Sequence, residues 1–359
     1  LIVRRDNGQI KAVTGPRRSG KSFLLDPIYK DYLLSKGVPE DNIIIISFDI
    51  EDEDTPQELL DREKLKEYLY SRIASQTENY YVFLDEIQEV DGFERIVNGL
   101  NKRQNVDVYV TGSNSKFLST EINTIFRGRS DEVSVLPFTF REFCQDRQES
   151  VNDLWKEYYT YGGLPALRKM PTAEQKTSYL QKLWKKTYLD DVVERHNVEN
   201  REALEAIADA LCSSIGSLTN TTRITNTLGS VRKIKITDDT VAKYIGYLEE
   251  AFLFNEARRY NIKGNKYYEN IKKYYSIDVG LRNARLNYRQ LEQTHLMENI
   301  IFNELLYRGY VVDVGVVEHR KMVDGKSEYK QYEVDFIATD GNEKYYIQSA
   351  YEIETEEKR

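Results

Sequence analysis

The chain has 359 residues and a formal net charge of −8, with 51 Lys and Arg against 59 Asp and Glu. That length predicts two or three domains, and a 40% hydrophobic content excludes a disordered chain. Net acidity excludes a protein that coats nucleic acid over its whole surface, but 49–54 (DIEDED) is acidic while 258–273 is basic and rich in tyrosine, so a local basic patch is allowed.

In chain order, Gln9–Thr14 (QIKAVT) reads as a buried strand running into GPRRSGKS, residues 15–22. This is the spacing G-x-x-x-x-G-K-[ST] of a phosphate-binding loop, and the pattern after Ser22 predicts a helix ending at Gly37. The backbone of Gly15, Pro16, Arg17, Arg18, Ser19, Gly20, Lys21, Ser22 and Phe23 would wrap the phosphates of a nucleotide at the helix start. Lys21 would reach the β- and γ-phosphates, and the Ser22 hydroxyl would hold Mg²⁺. Ile43–Phe48 is a second strand and Tyr80–Leu84 a third, ending in Asp85-Glu86. An apolar strand closed by two carboxylates completes an ATPase signature: Asp85 on Mg²⁺, Glu86 on the attacking water. Val106–Thr111 is a fourth strand, followed by Gly112-Ser113-Asn114. Ser113 or Asn114 would sit between the two motifs and sense the γ-phosphate. Asp131–Val135 is a fifth strand.

Helical pattern continues to about residue 210, interrupted by Gly162-Gly163-Leu164-Pro165. Ala203–Ser214, Asn220–Leu228 and Asp238–Phe252 read as three helices, the last opened by a Thr237 cap. Ala251–Tyr260, a loop around Gly264 and Lys273–Ile277 read as a hairpin, so that 201–290 predicts a winged helix. The exposed face of its third helix, with Asp239, Thr240, Lys243 and Tyr247, is only mildly basic. Arg258, Arg259, Lys263, Lys266, Lys272 and Lys273, interleaved with Tyr267 and Tyr268, would grip DNA phosphates and stack on bases. A protein-contact role for the same module is equally open. Leu296–Leu306 then reads as a helix, followed by strands Tyr310–Val317, Tyr332–Ala338 and Lys344–Ala350.

Taken together, GPRRSGKS, LDEIQ, TGSNS, FRGRS and PFTFREF resemble the prokaryotic AAA-type predicted ATPases. Those join a P-loop domain to a winged helix and a C-terminal restriction-endonuclease-like domain. The resemblance spans nearly the whole chain. It implies an α/β P-loop domain with a mostly parallel sheet (1–140), a helical linker (141–200), the winged helix and a small α/β nuclease-like domain (291–359). It also makes Arg17-Arg18 a family trait; one of them would pair with Asp49 and Glu51 and the other face outward toward a nucleotide phosphate or a neighbouring subunit, or both would be solvated. Arg127 and Arg129 would neutralise charge at a γ-phosphate, in their own site or a neighbouring subunit's, or would form a structural turn. Pro165 would contact adenine by analogy with signalling-type P-loop ATPases, or would only end a helix.

The last helix and three strands resemble the PD-(D/E)xK nuclease core, where Glu298, Asp335 and Gln348 match the metal-holding positions. The lysine position is Ala350, which argues against cleavage. The leading expectation is an ATP- and Mg²⁺-dependent ATPase recruited to double-stranded DNA, with a homo-oligomer or a protein partner open. The alternatives are an ATP switch acting on protein assembly without DNA, and an ATP-gated nuclease. Two distant cysteines, Cys144 and Cys212, fit a reducing cytoplasm, and the aliphatic run Ile43–Ile46 is too short to span a membrane.

Overall fold

Four short, mainly aliphatic and aromatic runs and one polar edge strand build the first sheet: β1 (Ile10–Thr14), β2 (Ile43–Ser47), β3 (Tyr80–Asp85), β4 (Val106–Gly112) and the polar β5 (Ser130–Ser134). A computed structural model describes residues 1–48, 57–112, 125–126, 128–323 and 326–350. These divide into two units, Leu1–Leu136 and Pro137–Arg359. In the first, the order is β2-β3-β4-β1-β5 and every pairing is parallel. Continuous apolar runs suit a parallel sheet because both faces are covered. One face packs Ile44, Val82 and Val108 against Leu65, Leu69, Ile96 and Val97. The other packs Phe83 and Tyr109 against Tyr29 and Leu33.

The helix expected after the loop is broken. Lys21–Phe23 is one helical turn, Asp26 is extended at φ −133° and ψ 118°, and regular helix resumes at Lys30–Ser35. Pro27 explains the break: its ring disfavours helical backbone at the residue before it, and it has no N–H to donate.

The second unit begins with helices, among them Val151–Tyr161, Arg201–Ser213, Thr221–Thr227 and Asp238–Glu250. The last three share a core of Leu204, Ile207, Ile224, Val241 and Leu248 with Leu180 and Trp184, while Val151–Tyr161 buries Leu154 and Tyr158 against Phe143, Val279 and Leu296. Tyr247, expected on an exposed recognition face, is stacked on His196 at 3.7 Å between ring centroids. Helix Val279–Arg285 crosses the end of Val151–Tyr161 so closely that a Cβ on Gly280 would lie 1.8 Å from the Tyr161 carbonyl oxygen. Gly280→Ala should therefore lower stability by an amount at the upper end of ~1–3 kcal/mol or beyond. Thermal unfolding will measure it, and an unchanged midpoint would refute that contact.

Asp278 caps the same helix. Its buried carboxylate accepts from Leu281 N at 3.0 Å and from Gly163 N at 2.7 Å, which fixes the Gly162–Pro165 turn. Burial raises its pKa to about 6, against the opposing pull of those backbone N–H groups. The folded state thus holds the proton more tightly than the unfolded chain. This group's contribution is full below the unfolded value near 4 and is lost as pH rises through about 6. At 1.36 kcal/mol per unit this amounts to about 3 kcal/mol. Wild type should gain about that much stability relative to Asp278→Asn between pH 7 and pH 3, where the unfolded carboxyl is protonated as well. Parallel denaturation curves for the two proteins would contradict the assignment.

The second sheet has the order β10-β9-β8-β6-β7, from β6 (Phe254–Asn261), β7 (Lys266–Ser276), β8 (Val311–Val323), β9 (Lys326–Asp340) and β10 (Glu343–Ile347). Helix Gln293–Tyr307 covers one face, packing Phe302 and Leu305 on Ala257, Tyr275, Val314 and Phe336. The hairpin expected as a free wing is therefore part of this sheet. β6 pairs in parallel with β8 (Arg259 opposite Val314), because Ala257 and Tyr275 need the same helix to bury them. The last strand is also shorter than expected. It ends at Ile347, since the Gln348 side chain and Ser349 N turn to Asp335. Among the described residues no helix is long and apolar enough to cross a membrane.

Candidate nucleotide site

Because the five strands are parallel, the residues after β1, β3 and β4 emerge at one edge of the sheet, where ligands of open α/β sheets bind. β4 lies between β1 and β3, so its end stands between the loop and Asp85-Glu86.

The loop leaves β1 at Gly15, with φ +142°; a Cβ there would lie 2.1 Å from the Val135 carbonyl oxygen. Only glycine allows that approach. Arg18 (φ +64°) and Gly20 (φ +101°) complete the turn in left-handed conformations. Arg18 is exposed and Arg17 half-buried; Asp49 and Glu51, their expected partners, lie outside the described residues. Ser19 is 4% exposed, and its hydroxyl has no hydrogen-bond partner among the described residues. Lys21 is equally buried. Its amine donates to Gly15 O at 3.2 Å and Pro16 O at 3.1 Å, and lies 3.8 Å from Glu86 Oε1. Ser22 and Phe23 are exposed on the first helical turn, Phe23 at 61%.

A chain of hydrogen bonds joins loop to strand ends. Ser22 Oγ donates to Asp85 Oδ2 at 2.7 Å. The Thr111 hydroxyl donates to Asp85 Oδ1 and accepts from Glu86 N at 2.9 Å. Glu86 has left-handed backbone (φ 52°), and its carboxylate accepts from the Gln88 amide. Burial pushes the Asp85 pKa above its ordinary value, while the bonds from Thr111 and Ser22 pull it down.

Thr111 is the residue that sequence reasoning missed. Ser113 and Asn114, the residues expected at the sensing position between the motifs, lie outside the described residues; Thr111, two positions before Ser113, already binds both carboxylate residues. A threonine closing an apolar strand just before glycine was the available signal. Arg129 is removed from its own site. It is exposed immediately before β5, and its carbonyl accepts from Ile10 N at 2.8 Å, at the start of β1. The loop follows the other end of β1, ~13 Å away at 3.3 Å per residue. Arg127 lies outside the described residues.

In the second unit, Pro165 opens a short 3₁₀ turn, Pro165–Lys169. The basic set is not a common surface. Arg259 and Lys273 are buried at 6% and 3% exposure, and Lys272 pairs with Glu256 at 2.6 Å. Arg258, Lys263 and Lys266 remain exposed, Arg258 over the Tyr267 ring at 4.3 Å. Parallel pairing of β6 with β8 explains the burial, because alternate hairpin residues turn under the covering helix.

Over 98% of its length this chain is 35% identical to an uncharacterized protein of Haemophilus influenzae, spanning 85% of that protein. The chain belongs to that protein's family. An uncharacterized protein of Methanocaldococcus jannaschii is 29% identical over 98% of the chain and 77% of its own length. Residues 7–144 match the family described as AAA domain, and 152–292 match a domain of unknown function (DUF8612). The first unit is thus an AAA-type P-loop domain by fold and by family match. Among solved structures, the Aeropyrum pernix Orc1 protein in complex with DNA has a TM-score of 0.28 at 13% identity, over 78% of this chain and 86% of that one. A DNA polymerase III gamma subunit-related protein of Thermotoga maritima has a TM-score of 0.31 at 14% identity, over 70% and 90%. Scores this low assign no function, and the functional reading is carried by the site itself.

Proposed function

We propose that the chain binds ATP with Mg²⁺ at Gly15–Ser22 and hydrolyses it, and that turnover responds to double-stranded DNA on the second unit. The observation that carries the first part is the continuous set Ser22–Asp85–Thr111–Glu86, which ties the loop to two strand ends. The Ser22 hydroxyl and the Asp85 carboxylate, 2.7 Å apart, are a hard-oxygen pair suited to Mg²⁺ directly or through water. When bound, the ion would neutralise charge on the β- and γ-phosphate oxygens. Loop N–H groups and Lys21 would bind the same phosphates, and the Ser19 hydroxyl, without a partner among the described residues, lies within the loop that surrounds them. Glu86, held at its backbone by Thr111, would orient water and take its proton. Arg129, exposed at the far edge, would reach a phosphate only in a neighbouring subunit, so full turnover would need assembly.

For DNA, Arg258, Lys263 and Lys266 on the β6–β7 hairpin, with Tyr267 beside Arg258, are the candidate contacts. The burial of Arg259 and Lys273 favours the competing reading, a switch that acts on protein. Phosphate release by purified protein, with and without double-stranded DNA and beside Glu86→Gln, decides between them. Stimulation by DNA, falling with salt and lost in Arg258→Ala/Lys266→Ala, is expected. Turnover indifferent to DNA would leave the protein-directed switch.

A further inference from the structure

The C-terminal sheet holds a second group of charges, remote in sequence and independent of the nucleotide reading. Lys273 on β7 donates to Glu298 Oε1 of helix Gln293–Tyr307 at 2.9 Å, and its amine lies 2.7 Å from Glu333 Oε1 on β9. Tyr275 Oη donates to the same Glu298 oxygen at 2.7 Å. On the remaining side lies Gly216, whose backbone closes over the carboxylate: a Cβ there would come within 3.1 Å of Oε1 and 3.3 Å of Oε2. Asp335 Oδ2 accepts from Gln348 Nε2 at 2.8 Å and from Ser349 N at 2.7 Å.

Glu298, Asp335 and Gln348 are the positions at which the nuclease resemblance implies Mg²⁺. The residues do not fit it. A divalent cation needs several oxygen ligands whose lone pairs converge on one point. Here the Glu298 oxygen turned to the cluster is taken by an ammonium and a phenol, and the Asp335 oxygen by two N–H donors. Among the described residues no group of three His, Cys, Asp or Glu could hold a metal ion. Lys273, 3% exposed, stands where the charge of two carboxylates requires a cation.

We propose that Lys273 is the resident counter-ion of this sheet, taking the place of a divalent metal, so that the domain binds no metal there and does not cleave phosphodiesters. The same strand explains what the arrangement serves instead. Next to Lys273, Lys272 exchanges backbone hydrogen bonds with Thr219 at 2.9 and 3.0 Å, and Gly216 N donates to Tyr274 O at 3.2 Å. The turn between helices Arg201–Ser213 and Thr221–Thr227 is thereby docked on β7, and Lys273 ties β7 to the covering helix and to β9. The cluster is a joint, and its cation is built into the chain.

The test is the thermal midpoint of the nucleotide-free full chain with and without millimolar Mn²⁺, for wild type, Asp335→Asn, Lys273→Met and Lys273→Met/Glu333→Gln, the last removing one of the two carboxylates that Lys273 neutralises. Wild type and Asp335→Asn are expected to respond to Mn²⁺ identically, since any response then comes from the nucleotide site. Lys273→Met should melt lower and recover several degrees with Mn²⁺, and the double variant should not recover. A purely structural salt bridge would lower the midpoint without creating this metal response. Were wild type to show a Mn²⁺ shift that Asp335→Asn abolishes, or Mn²⁺-dependent plasmid cleavage lost in Glu298→Ala, the proposal would be wrong. A folded Lys273→Met that ignores Mn²⁺ would overturn it too. Where Lys273→Met does not fold, the wild-type comparison with Asp335→Asn still decides.

Discussion

Glu86→Gln is expected to bind ATP about as tightly as wild type and to hydrolyse it on the order of 100-fold more slowly or worse, the usual weight of a positioned general base. The substitution keeps the shape of the side chain and leaves the backbone N–H on Thr111. What it removes is the carboxylate that lies 3.8 Å from Lys21 and would accept the proton of water. Lys21→Ala should behave differently. Its buried ammonium is the loop cation that would meet the β- and γ-phosphates, so nucleotide affinity itself should fall. Phosphate release under single-turnover conditions, beside binding of a fluorescent ADP analogue, separates the two effects. Equal turnover by Glu86→Gln and wild type would remove Glu86 from the chemistry. Thr111→Val supplies a further check. It deletes the hydroxyl shared by Asp85 and Glu86 and leaves the strand intact, so turnover should drop while the fold persists.

Asp107→Ala is expected to be the most destabilising single change in the first unit. Lys11 is fully buried on β1, and its amine pairs with Asp107 on β4 beneath the Tyr109 ring. Asp107 also accepts from Tyr109 Oη at 2.7 Å and from Asp6 N at 3.0 Å. Removing the carboxylate leaves an ammonium in the sheet without its counter-ion, which typically costs about 3–5 kcal/mol. Lys11→Met/Asp107→Leu removes both charges and should recover most of that loss, because a desolvated pair contributes little net stability over apolar groups of similar volume. Denaturant midpoints for the single and double variants test this. A double variant as unstable as Asp107→Ala would show that the pair itself, and not the stranded charge, is what stabilises the sheet.

Much of the first unit was legible from sequence because its signals are local. A strand buried on both faces is a continuous apolar run, and Ile43–Ser47 and Tyr80–Asp85 show it directly. The loop is a matter of spacing along a few residues, and Asp85-Glu86 closes its strand in the sequence as in the fold. Of the strand order, the place of β4 between the loop and Asp85-Glu86 was legible; the edge places of β2 and β5 were not, since nothing local states them. The role of Thr111 follows from that order, as does the placement of Arg129 at the wrong edge for its own loop.

In the second unit the sequence by itself determined the three helices and the hairpin, whose apolar spacing and Thr237 cap are short-range features. Only the tertiary structure decided what the hairpin does. Its pairing with β8 joins segments about fifty residues apart, and which of two alternate faces is buried depends on the helix that covers it. In sequence Arg258, Arg259, Lys272 and Lys273 are one basic run. In the fold they are an exposed cation, a buried one, an ion pair with Glu256 and the counter-ion of Glu298 and Glu333. A charge is read from the residue, but its partner is set by strands that meet only when the chain has folded.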